Sequence, residues 1–386
     1  MERYKSLEAY IDGKKVGTLA TYRDQLVAFE YADSWIKEGY AISPRSLPLQ
    51  KKVYIPKIVP FDGAFGVFAD SLPDGWGRLL VDRMLLREHI NPHEIDILNR
   101  LAIVGETGMG ALTYRPVHKI QSEKAQIEYD RLAAECRRIL ETEYSNDLDE
   151  LFALGGSSGG ARPKILTKID GEDWIVKFPA SLDDPNIGLV EYQYSLCAKK
   201  CGIEMAETRL LPSRQCEGYF GTKRFDRVAL NGHVKRIHML SVSAILEVSH
   251  RIPSLDYNTL MVLTLELTKD YSEVEKMYRL MCFNVFVHNR DDHSKNFTFL
   301  YDTEKGGWRL APAYDLTYSN SIGGEHATCI NGNGKDPALA DILIVADKIG
   351  ISKSKAKRIA EQVQDTVNDE LVKTGILHNM RYSYFR

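Results

Sequence analysis

The sequence of 386 residues predicts an α+β fold in which a β-containing N-terminal module precedes a small sheet and a helical lobe. Three observations predict this order. The dipeptide Asp12-Gly13 separates two alternating segments, which indicates a β-hairpin. Residues 150–230 alternate strand-like segments with turns, and apolar residues beyond residue 240 recur at helical spacing. We therefore expect domains over residues 1–120, 121–235 and 236–386.

The predicted elements follow one another along the chain. The hairpin segments LEAYI and VGTLATY precede a helix-like segment, DGWGRLLVDRMLLREHI, a glycine-rich turn, GETGMG, and a strand, ALTYR. The small sheet is predicted from PKILTKI and WIVKFPA, with a helix over EYQYSLCAKKCG. In the helical lobe Ser272 and Glu275 fit a capping box at a helix start. The amphipathic stripe of that helix comprises Val274, Met277, Tyr278 and Met281.

Composition narrows the class of protein. A hydrophobic content of 44% and a charged content of 27% exclude a largely disordered chain, and a net charge of −3 argues against broad non-specific nucleic-acid binding. The six cysteines are too few for a disulfide scaffold, so we expect reduced thiols and a cytoplasmic protein. No window of about 18 residues lacks a charge, so no membrane span is expected.

The richest polar segment is 288–296, HNRDDHSKN, which follows the apolar segment MCFNVFV. Asp291 and Asn296 have the D-x-x-x-x-N spacing of a kinase catalytic loop, where the Asp orients or deprotonates the attacking hydroxyl and the Asn binds magnesium. Asp315 follows two strand-like segments, FTFLY and WRLAP, where kinases place a metal-binding aspartate. A solvated loop after a core helix, and an aspartate that caps a turn, are the alternative structural interpretations.

Two further segments fit a phosphate site. Residues 154–164, LGGSSGGARPK, hold four glycines and two serines, whose backbone N–H groups can approach phosphate oxygens. Lys177 lies within the apolar strand WIVKF and needs an anionic partner, for which Glu191 at the start of the next predicted helix is the candidate. A flexible loop, an outward-facing lysine and an acid in a first helical turn are the alternatives.

Together these segments occur in the order of a phosphotransferase of the protein-kinase type: glycine-rich turn, strand lysine, helix glutamate, D-x-x-x-x-N and metal aspartate. Acyl transfer is not favoured, because the chain contains no G-x-S-x-G motif. We expect residues from two lobes to meet around a nucleotide triphosphate and a divalent ion.

The motifs GGSSGGARPK, WIVKF, KRFDR, NRDDHSKNFTF and LAPAYDLT resemble those of the HipA family of bacterial toxin kinases. FADSLPDGWGR and GETGMGALTY are similar to that family's N-terminal subdomain. The resemblance implies a protein-kinase-like bilobal fold with a small β-rich lobe, an all-α C-terminal lobe and an extra N-terminal β-rich subdomain. It implies a serine/threonine protein kinase that uses ATP and magnesium and causes growth arrest or persistence.

The resemblance also implies partners. In well-known members the substrates are aminoacyl-tRNA synthetases, and a cognate helix-turn-helix antitoxin neutralises the kinase and binds operator DNA with it. The chain would thus contact DNA only through the antitoxin.

The resemblance assigns site residues by motif. Asp291 would be the catalytic base, Asn296 and Asp315 would bind magnesium, and Glu191 would support Lys177. Ser157 matches an autophosphorylated loop serine, with Ser158 as a close competitor. The nucleotide-binding residues would be Gly159, Gly160, Ala161, Arg162, Pro163, Lys164, Lys177, Lys223, Arg224, Phe225, His293, Asn296, Tyr314 and Asp315.

Two departures from the family pattern leave the substrate open. Ala161-Arg162-Pro163-Lys164 replaces more polar residues after the loop glycine, and Pro163 lacks an N–H donor. The segment MLSVSAILEV also lacks acidic residues and Gln that are common in the family. Two other functions remain possible from the residues: a catalytically weak module that binds an antitoxin on DNA, or a small-molecule phosphotransferase.

Overall fold

The computed structural model describes residues 4–23, 25–118, 128–143, 145, 147–230, 232–321 and 323–377. The chain divides into two compact units. Unit 1 comprises Met1–Gly188 and Leu211–Glu247, and unit 2 comprises Leu189–Leu210 and Val248–Arg386. Among the described residues, no helix is long and apolar enough to cross a membrane.

Strands are short and are distributed over both units. They are β1 (Ser6–Ile11), β2 (Lys14–Tyr22), β3 (Leu26–Tyr31), β4 (Val53–Tyr54), β5 (Thr113–Arg115), β6 (Lys164–Ile169), β7 (Glu172–Lys177), β8 (Thr208–Leu211), β9 (Tyr219–Lys223), β10 (Arg227–Leu230), β11 (His233–Arg236), β12 (Met239–Ser241), β13 (Leu255–Asp256), β14 (Thr298–Asp302), β15 (Gly307–Leu310) and β16 (Thr328–Cys329).

The helices are distributed over the whole described chain. They are α1 (Asp33–Glu38), α2 (Gly66–Ala69), α3 (Gly75–Arg87), α4 (Ile97–Val104), α5 (Tyr129–Leu140), α6 (Leu148–Gly155), α7 (Ile187–Lys200), α8 (Val242–Leu246), α9 (Tyr257–Thr268), α10 (Tyr271–Phe286), α11 (Leu339–Lys348) and α12 (Lys353–Val367). The longest of these, α10, lies in unit 2. Short 3₁₀ turns lie at Pro92–Glu94 and Ser294–Asn296, and a π-helical turn lies at Asn368–Val372.

Unit 1 begins with the hairpin that the sequence predicts. Asp12 and Gly13 both have positive φ angles, 48° and 75°, as a two-residue hairpin turn of matching twist requires. The hairpin β1–β2 lies within an antiparallel sheet of order β4-β3-β2-β1-β5. Leu7, Ala9 and Ile11 alternate with more exposed neighbours and are buried, so one face of this sheet packs on the core.

A second sheet in unit 1 follows the glycine-rich loop that the sequence analysis singles out. Strands β6, β7 and β9 pair antiparallel in that order, with Lys164 opposite Lys177 and Lys177 opposite Phe220. Inward-facing Ile165, Val176 and Phe178 share one apolar cluster with Trp76 of α3. Helices α5 and α6 add Leu132, Cys136, Ile139 and Leu151 to the same cluster. The helix α3 thus packs into the core of the sheet that follows it.

A buried ion cluster joins the first sheet region of unit 1 to the second. Asp226 is fully buried and accepts hydrogen bonds from Arg224 at 2.9 and 2.7 Å and from Arg227 at 2.8 Å. Burial alone would raise the pKa of Asp226, but the two guanidinium charges outweigh it and hold the pKa at about 2. The backbone N–H of Gly110 also donates to this carboxylate at 2.7 Å.

The arginines of this cluster also hold the glycine-rich turn GETGMG by its carbonyl groups. Arg227 donates to the carbonyl oxygens of Gly108 and Gly110 at 2.8 and 2.9 Å. Arg236 donates to the same two oxygens at 2.9 and 3.0 Å and to that of Glu106. The carbonyl groups of the buried residues Gly108 and Gly110 thus receive bonds from charged donors, which are stronger than neutral ones.

Unit 2 is predominantly helical and contains the hairpin β14–β15 that the sequence predicts. The predicted stripe of α10 is fully buried: Val274, Met277, Tyr278 and Met281. The predicted capping box is wrong, because Asp270 is the N-cap and its carboxylate accepts from the N–H of Ser272 at 2.8 Å. The helix around Glu191 also begins earlier than predicted, at Ile187, so Glu191 lies in its second turn.

The three-domain division stays a prediction. Its first boundary, near residue 120, falls on residues 119–127, which lie outside the described residues. The fold class is confirmed: an α+β chain with antiparallel sheets in its first part and mainly helices in its last part.

We expect the charge of Asp226 to dominate the stability of unit 1. Replacing one partner of a buried ion pair costs about 3–5 kcal/mol, so Asp226→Asn should lower the free energy of unfolding by about that amount at pH 7. Because folding lowers the pKa of Asp226, its contribution is complete above the unfolded pKa of about 3.9. It should disappear as the pH falls to about 2.

Urea unfolding followed by tryptophan fluorescence measures this difference, since Trp35, Trp76 and Trp174 all lie in unit 1. Asp33→Asn is the control, because the Asp33–Lys51 ion pair is solvent-exposed and should contribute little. Equal effects of the two substitutions would contradict the assignment.

Candidate active site

The glycine-rich loop at residues 155–164 follows helix α6 directly and is held partly by its own side chains. Ser158 is fully buried and donates from Oγ to the Gly155 carbonyl at 2.6 Å. The Lys164 ammonium donates to the Gly159 carbonyl at 2.6 Å. Gly160 has a φ of +84°, which favours glycine at this position. Hydrogen bonds between residues of the loop therefore give it a defined shape.

The same loop is also held by the N-terminal part of unit 1. The N–H of Trp76 donates to the Gly160 carbonyl at 2.9 Å, and the Trp76 indole donates to the Lys164 carbonyl at 3.0 Å. The N–H of Gly160 donates in turn to the carboxylate of Asp74. Asp74 is the N-cap residue of α3, yet its side chain makes no capping bond to that helix. The Asp74 carboxylate, in the segment SLPDGWGR, therefore serves to hold the glycine-rich loop and not to cap helix α3.

A third contact reaches the loop from the turn GETGMG. Ser157 donates from Oγ to the Thr107 carbonyl oxygen at 3.1 Å. Because Arg227 and Arg236 hold the neighbouring carbonyls of that turn, Ser157 is connected to the buried ion cluster through Thr107. Sequence reasoning missed Asp74, Trp76 and Thr107, although two glycines that flank Trp76 were a signal of close backbone approach.

The basic residues assigned to nucleotide binding have varied surroundings in unit 1. Lys177 is half-buried, and its ammonium lies 5.5 Å from the centroid of the Phe220 ring. Arg162 makes a two-pronged contact with Asp183 at 3.0 and 3.2 Å. Lys223 pairs with Glu172, and Arg224 belongs to the buried Asp226 cluster. Arg162, Lys223 and Arg224 thus have structural partners.

The remaining assigned residues of unit 1 belong to the same loop and strand. Gly159 and Ala161 lie beside Gly160, Pro163 is buried, and Phe225 follows Arg224 at intermediate exposure. Pro163 contributes its carbonyl to the N–H of Phe178 at 2.9 Å, so the missing N–H leaves this backbone contact unaffected. Glu191 is buried in α7 and belongs to unit 2. Its pairing with Lys177 stays a prediction.

In unit 2, the polar segment 288–296 leaves the end of α10 as a loop. His288 has a φ of 55°, where the chain turns away from the helix. The Asp291 side chain is 63% exposed, and His293 Nε2 lies 4.0 Å from its Oδ1. Asn296 closes a short 3₁₀ turn and donates from Nδ2 to the Asp291 carbonyl at 2.7 Å. The five-residue spacing thus brings the amide of Asn296 back to Asp291.

The segment around Asp315 is hydrogen-bonded to this loop. Tyr314 donates from its hydroxyl to the Lys295 carbonyl at 2.5 Å and lies 2.7 Å from the Thr298 hydroxyl. Asn289 donates to the carbonyl of Asp315 at 3.3 Å. Asp315 has a φ of 54°, a conformation that is uncommon outside glycine and that clusters at functional sites. The structure therefore brings together two segments that lie far apart in the sequence.

A buried polar network that sequence reasoning missed lies behind the loop. Asp292 is fully buried and accepts from the Tyr257 hydroxyl and from His326 Nδ1, each at 3.0 Å. Asn284 donates to the same Tyr257 hydroxyl at 2.9 Å and accepts from Asn289 at 3.0 Å. Burial raises the pKa of Tyr257 well above its usual value, so the phenol stays protonated and can donate. The sequence signal for this network was Asp292 itself, a second aspartate directly after Asp291 in HNRDDHSKN.

The donor set of this loop suits a hard cation. Asn296 uses its Nδ2 on the Asp291 carbonyl, which leaves the amide oxygen as its ligand atom, and Asp315 supplies a carboxylate. Magnesium takes oxygen ligands, and one or two protein groups suffice when phosphate oxygens complete the shell. Among the described residues, no group of three or more His, Cys, Asp or Glu forms a metal cluster, and the magnesium assignment needs none.

Comparison with known proteins places this chain in a family. The family model of the HipA N-terminal domain matches residues 7–115, and that of the HipA-like C-terminal domain matches residues 156–371. Because the second match alone covers more than half of the 386 residues, the chain belongs to the HipA family.

Individual relatives extend along most of the chain. Two proteins of Sinorhizobium fredii (strain NBRC 101917 / NGR234) carry the names "Putative kinase Y4dM" and "Putative kinase Y4mE". The first is 23% identical over 390 residues and covers 96% of this chain and 90% of that protein. The second is 25% identical over 351 residues and covers 80% and 76%.

A solved structure shares the fold. It is the complex of HipA, HipB and operator DNA from the toxin–antitoxin system of Shewanella oneidensis MR-1. The match has a TM-score of 0.71 at 17% identity and covers 96% of this chain and 91% of that one.

We expect the shape of the glycine-rich loop to depend on Gly77. A Cβ atom at Gly77 would collide with the carbonyl oxygen of Ser158, so Gly77→Ala must displace the loop or α3. The substitution should weaken ATP binding measured by calorimetry by about tenfold or more, because misplaced binding groups lose much of their contribution.

Gly307→Ala is the matched control, since no atom lies within 4 Å of a Cβ at that position. Unchanged ATP affinity in a folded Gly77→Ala protein would contradict this dependence.

Proposed function

We propose that this chain is the toxin of a toxin–antitoxin system and acts as an ATP- and magnesium-dependent serine/threonine protein kinase. The observation that carries the proposal is the contact between loop 288–296 and the Asp315 segment, made through Asn289 and Tyr314. Two polar segments are brought together with an exposed carboxylate, Asp291, beside them.

In this proposal each polar group of unit 2 has one task. Asp291 accepts the proton of the attacking hydroxyl as the phosphoryl group is transferred, for which an exposed carboxylate is accessible to a protein substrate. Asn296 and Asp315 hold the magnesium ion, which neutralises phosphate charge when it is bound. His293 and Tyr314 line the nucleotide.

The groups of unit 1 bind the nucleotide phosphates. Lys177 supplies a positive charge, and the backbone of residues 159–164 supplies N–H donors. Lys223, Arg224 and Phe225 are assigned to the adenine side. Because Arg224 and Lys223 already have carboxylate partners, we expect this segment to act through its backbone and through Phe225.

Autophosphorylation of the glycine-rich loop is part of the proposal, and Ser157 is favoured over Ser158. The Ser158 hydroxyl is buried and bonded inside the loop, whereas Ser157 is less buried and bonds to the surface turn. A phosphate adds about −1.5 to −2 charges, which would break the bond to Thr107 and reshape the loop. Such a change would inactivate the enzyme.

We propose the partners by analogy with the family. The related HipA structure contains HipB and operator DNA, so we propose a helix-turn-helix antitoxin as the partner of this chain, with DNA bound through the antitoxin. A translation component such as an aminoacyl-tRNA synthetase is the proposed substrate, and growth arrest or persistence is the proposed outcome.

Phosphate transfer to protein should depend on Asp291. Removing a general base costs about 10²–10⁴-fold in rate, so Asp291→Ala should reduce transfer of labelled phosphate from ATP to proteins of a lysate by that factor. Asp347→Ala, which removes an exposed aspartate of helix α11, should leave the rate unchanged.

The same assay separates the other two functions. Equal labelling of protein by wild-type protein and Asp291→Ala would remove Asp291 from the role of catalytic base, and labelling no higher than background with both would favour an antitoxin-binding module without catalysis. Label that appears only in small molecules would favour a small-molecule phosphotransferase.

Self-modification should occur on Ser157. After incubation with ATP and magnesium, intact-mass analysis of wild-type protein should show one added phosphate, and Ser157→Ala should show none and remain active for longer. Ser158→Ala is the matched control and should still gain the phosphate. The reverse pattern, with Ser158 required and Ser157 dispensable, would contradict the assignment.

A further inference from the structure

The segment that follows Asp315 has no role in the proposed chemistry. Its described parts are residues 316–321 and 323–336, which include the polar sequence GGEHATCINGNGK. Strand β16, Thr328–Cys329, lies within it and pairs parallel with β13 in unit 2. His326 and Thr328 are fully buried although both are polar, so their side chains need partners.

The backbone of this segment follows the loop that contains Asp291. The N–H of Ser319 donates to the His288 carbonyl at 3.0 Å, and the Ser319 carbonyl accepts from the N–H of Arg290 at 3.3 Å. Further along, the N–H of Ala327 donates to the Arg290 carbonyl at 3.0 Å. The segment therefore contacts the loop on both sides of residue 289.

The side chains of the segment converge on Asp292. His326 Nδ1 donates to Oδ2 of its carboxylate at 3.0 Å, and the N–H of Thr328 donates to Oδ1 at 3.1 Å. The Thr328 hydroxyl donates to the Asp292 backbone carbonyl at 2.5 Å. A buried carboxylate is stable only when donors satisfy it, so these bonds and that of Tyr257 set where Asp292 lies.

Three successive carbonyl groups around Asp291 are consequently fixed. That of Arg290 accepts from Ala327, that of Asp291 accepts from Asn296, and that of Asp292 accepts from Thr328. The Asp291 side chain projects from this stretch of backbone, so a displacement of the three carbonyl groups would displace its carboxylate as well. Two of the three bonds come from residues 327–328.

We propose that residues 326–328 are a brace that positions Asp291, with His326 and Thr328 acting as positioning residues through Asp292. This proposal rests on the kinase function proposed above. Through the brace, the segment that follows Asp315 holds Asp291 in place, using the side chains and the backbone of residues 326–328.

The test compares three variants of buried threonines in the full chain. Thr328→Val removes the hydroxyl and keeps the shape, and Thr328→Ser restores the hydroxyl. Thr264→Val is the matched control, because Thr264 is equally buried and donates to a backbone carbonyl, that of Leu260, at 2.7 Å within helix α9. For each folded variant, the single-turnover rate of phosphate transfer and the dissociation constant of ATP are measured.

We expect Thr328→Val to lower the transfer rate about 10–100-fold with unchanged ATP affinity, because small displacements of a catalytic group cost rates of that order. Thr328→Ser should regain most of the rate, and Thr264→Val should keep it. Equal losses in Thr328→Val and Thr264→Val would overturn the proposal, since a general loss of packing would then explain both.

Hydrogen exchange of the amides at residues 289–296 provides a readout that needs no activity. Exchange should be faster in Thr328→Val than in Thr264→Val and wild-type protein, and equal exchange in all three would overturn the brace. If wild-type protein transfers no phosphate above background, the kinase function fails, and the exchange result still decides whether residues 326–328 hold the loop.

Discussion

The buried charge of Asp226 is the constraint on which the architecture of unit 1 depends. A carboxylate without water must be neutralised, and Arg224 and Arg227 neutralise it by direct contact. Once Arg227 is held, its remaining donors and those of Arg236 bind the turn GETGMG by its carbonyls. The Thr107 carbonyl of the same turn accepts a hydrogen bond from the hydroxyl of Ser157. The shape of the glycine-rich loop is therefore linked to the ion cluster through this turn.

Unit 2 uses a second buried carboxylate with a different set of donors. Asp292 is surrounded by the phenol of Tyr257, the imidazole of His326 and the backbone N–H of Thr328. Asp226 is held by guanidinium groups, which contribute positive charge as well as hydrogen bonds. The donors around Asp292 contribute mainly hydrogen bonds, whose geometry fixes the orientation of the carboxylate. In both cases one acid fixes several chain segments at once, because its two oxygens together accept at least three bonds, two or more of them at Oδ2.

Local sequence signals predicted an element correctly when its structure depends on residues that are only a few positions apart. Asp12-Gly13 favours a turn with two positive φ angles, and the stripe of α10 follows from its period. The errors arose at helix starts. Ser272 fits a capping pattern, but the carboxylate of Asp270 precedes it and accepts the N–H that a cap must satisfy. Helix α7 begins at buried Ile187 because packing extends the helix beyond its polar motif.

By itself, the sequence determined the order of the elements, the spacing of Asp291 and Asn296, and the family to which these motifs belong. It identified residues with chemical capacity, because side-chain type and spacing are local properties. The tertiary structure alone decided which distant residues become partners: Trp76 and Asp74 hold the glycine-rich loop, and His326 and Thr328 donate to the buried carboxylate of Asp292. These partners lie 34 to 88 residues apart in the sequence, and no local pattern specifies which distant donor will reach a buried oxygen.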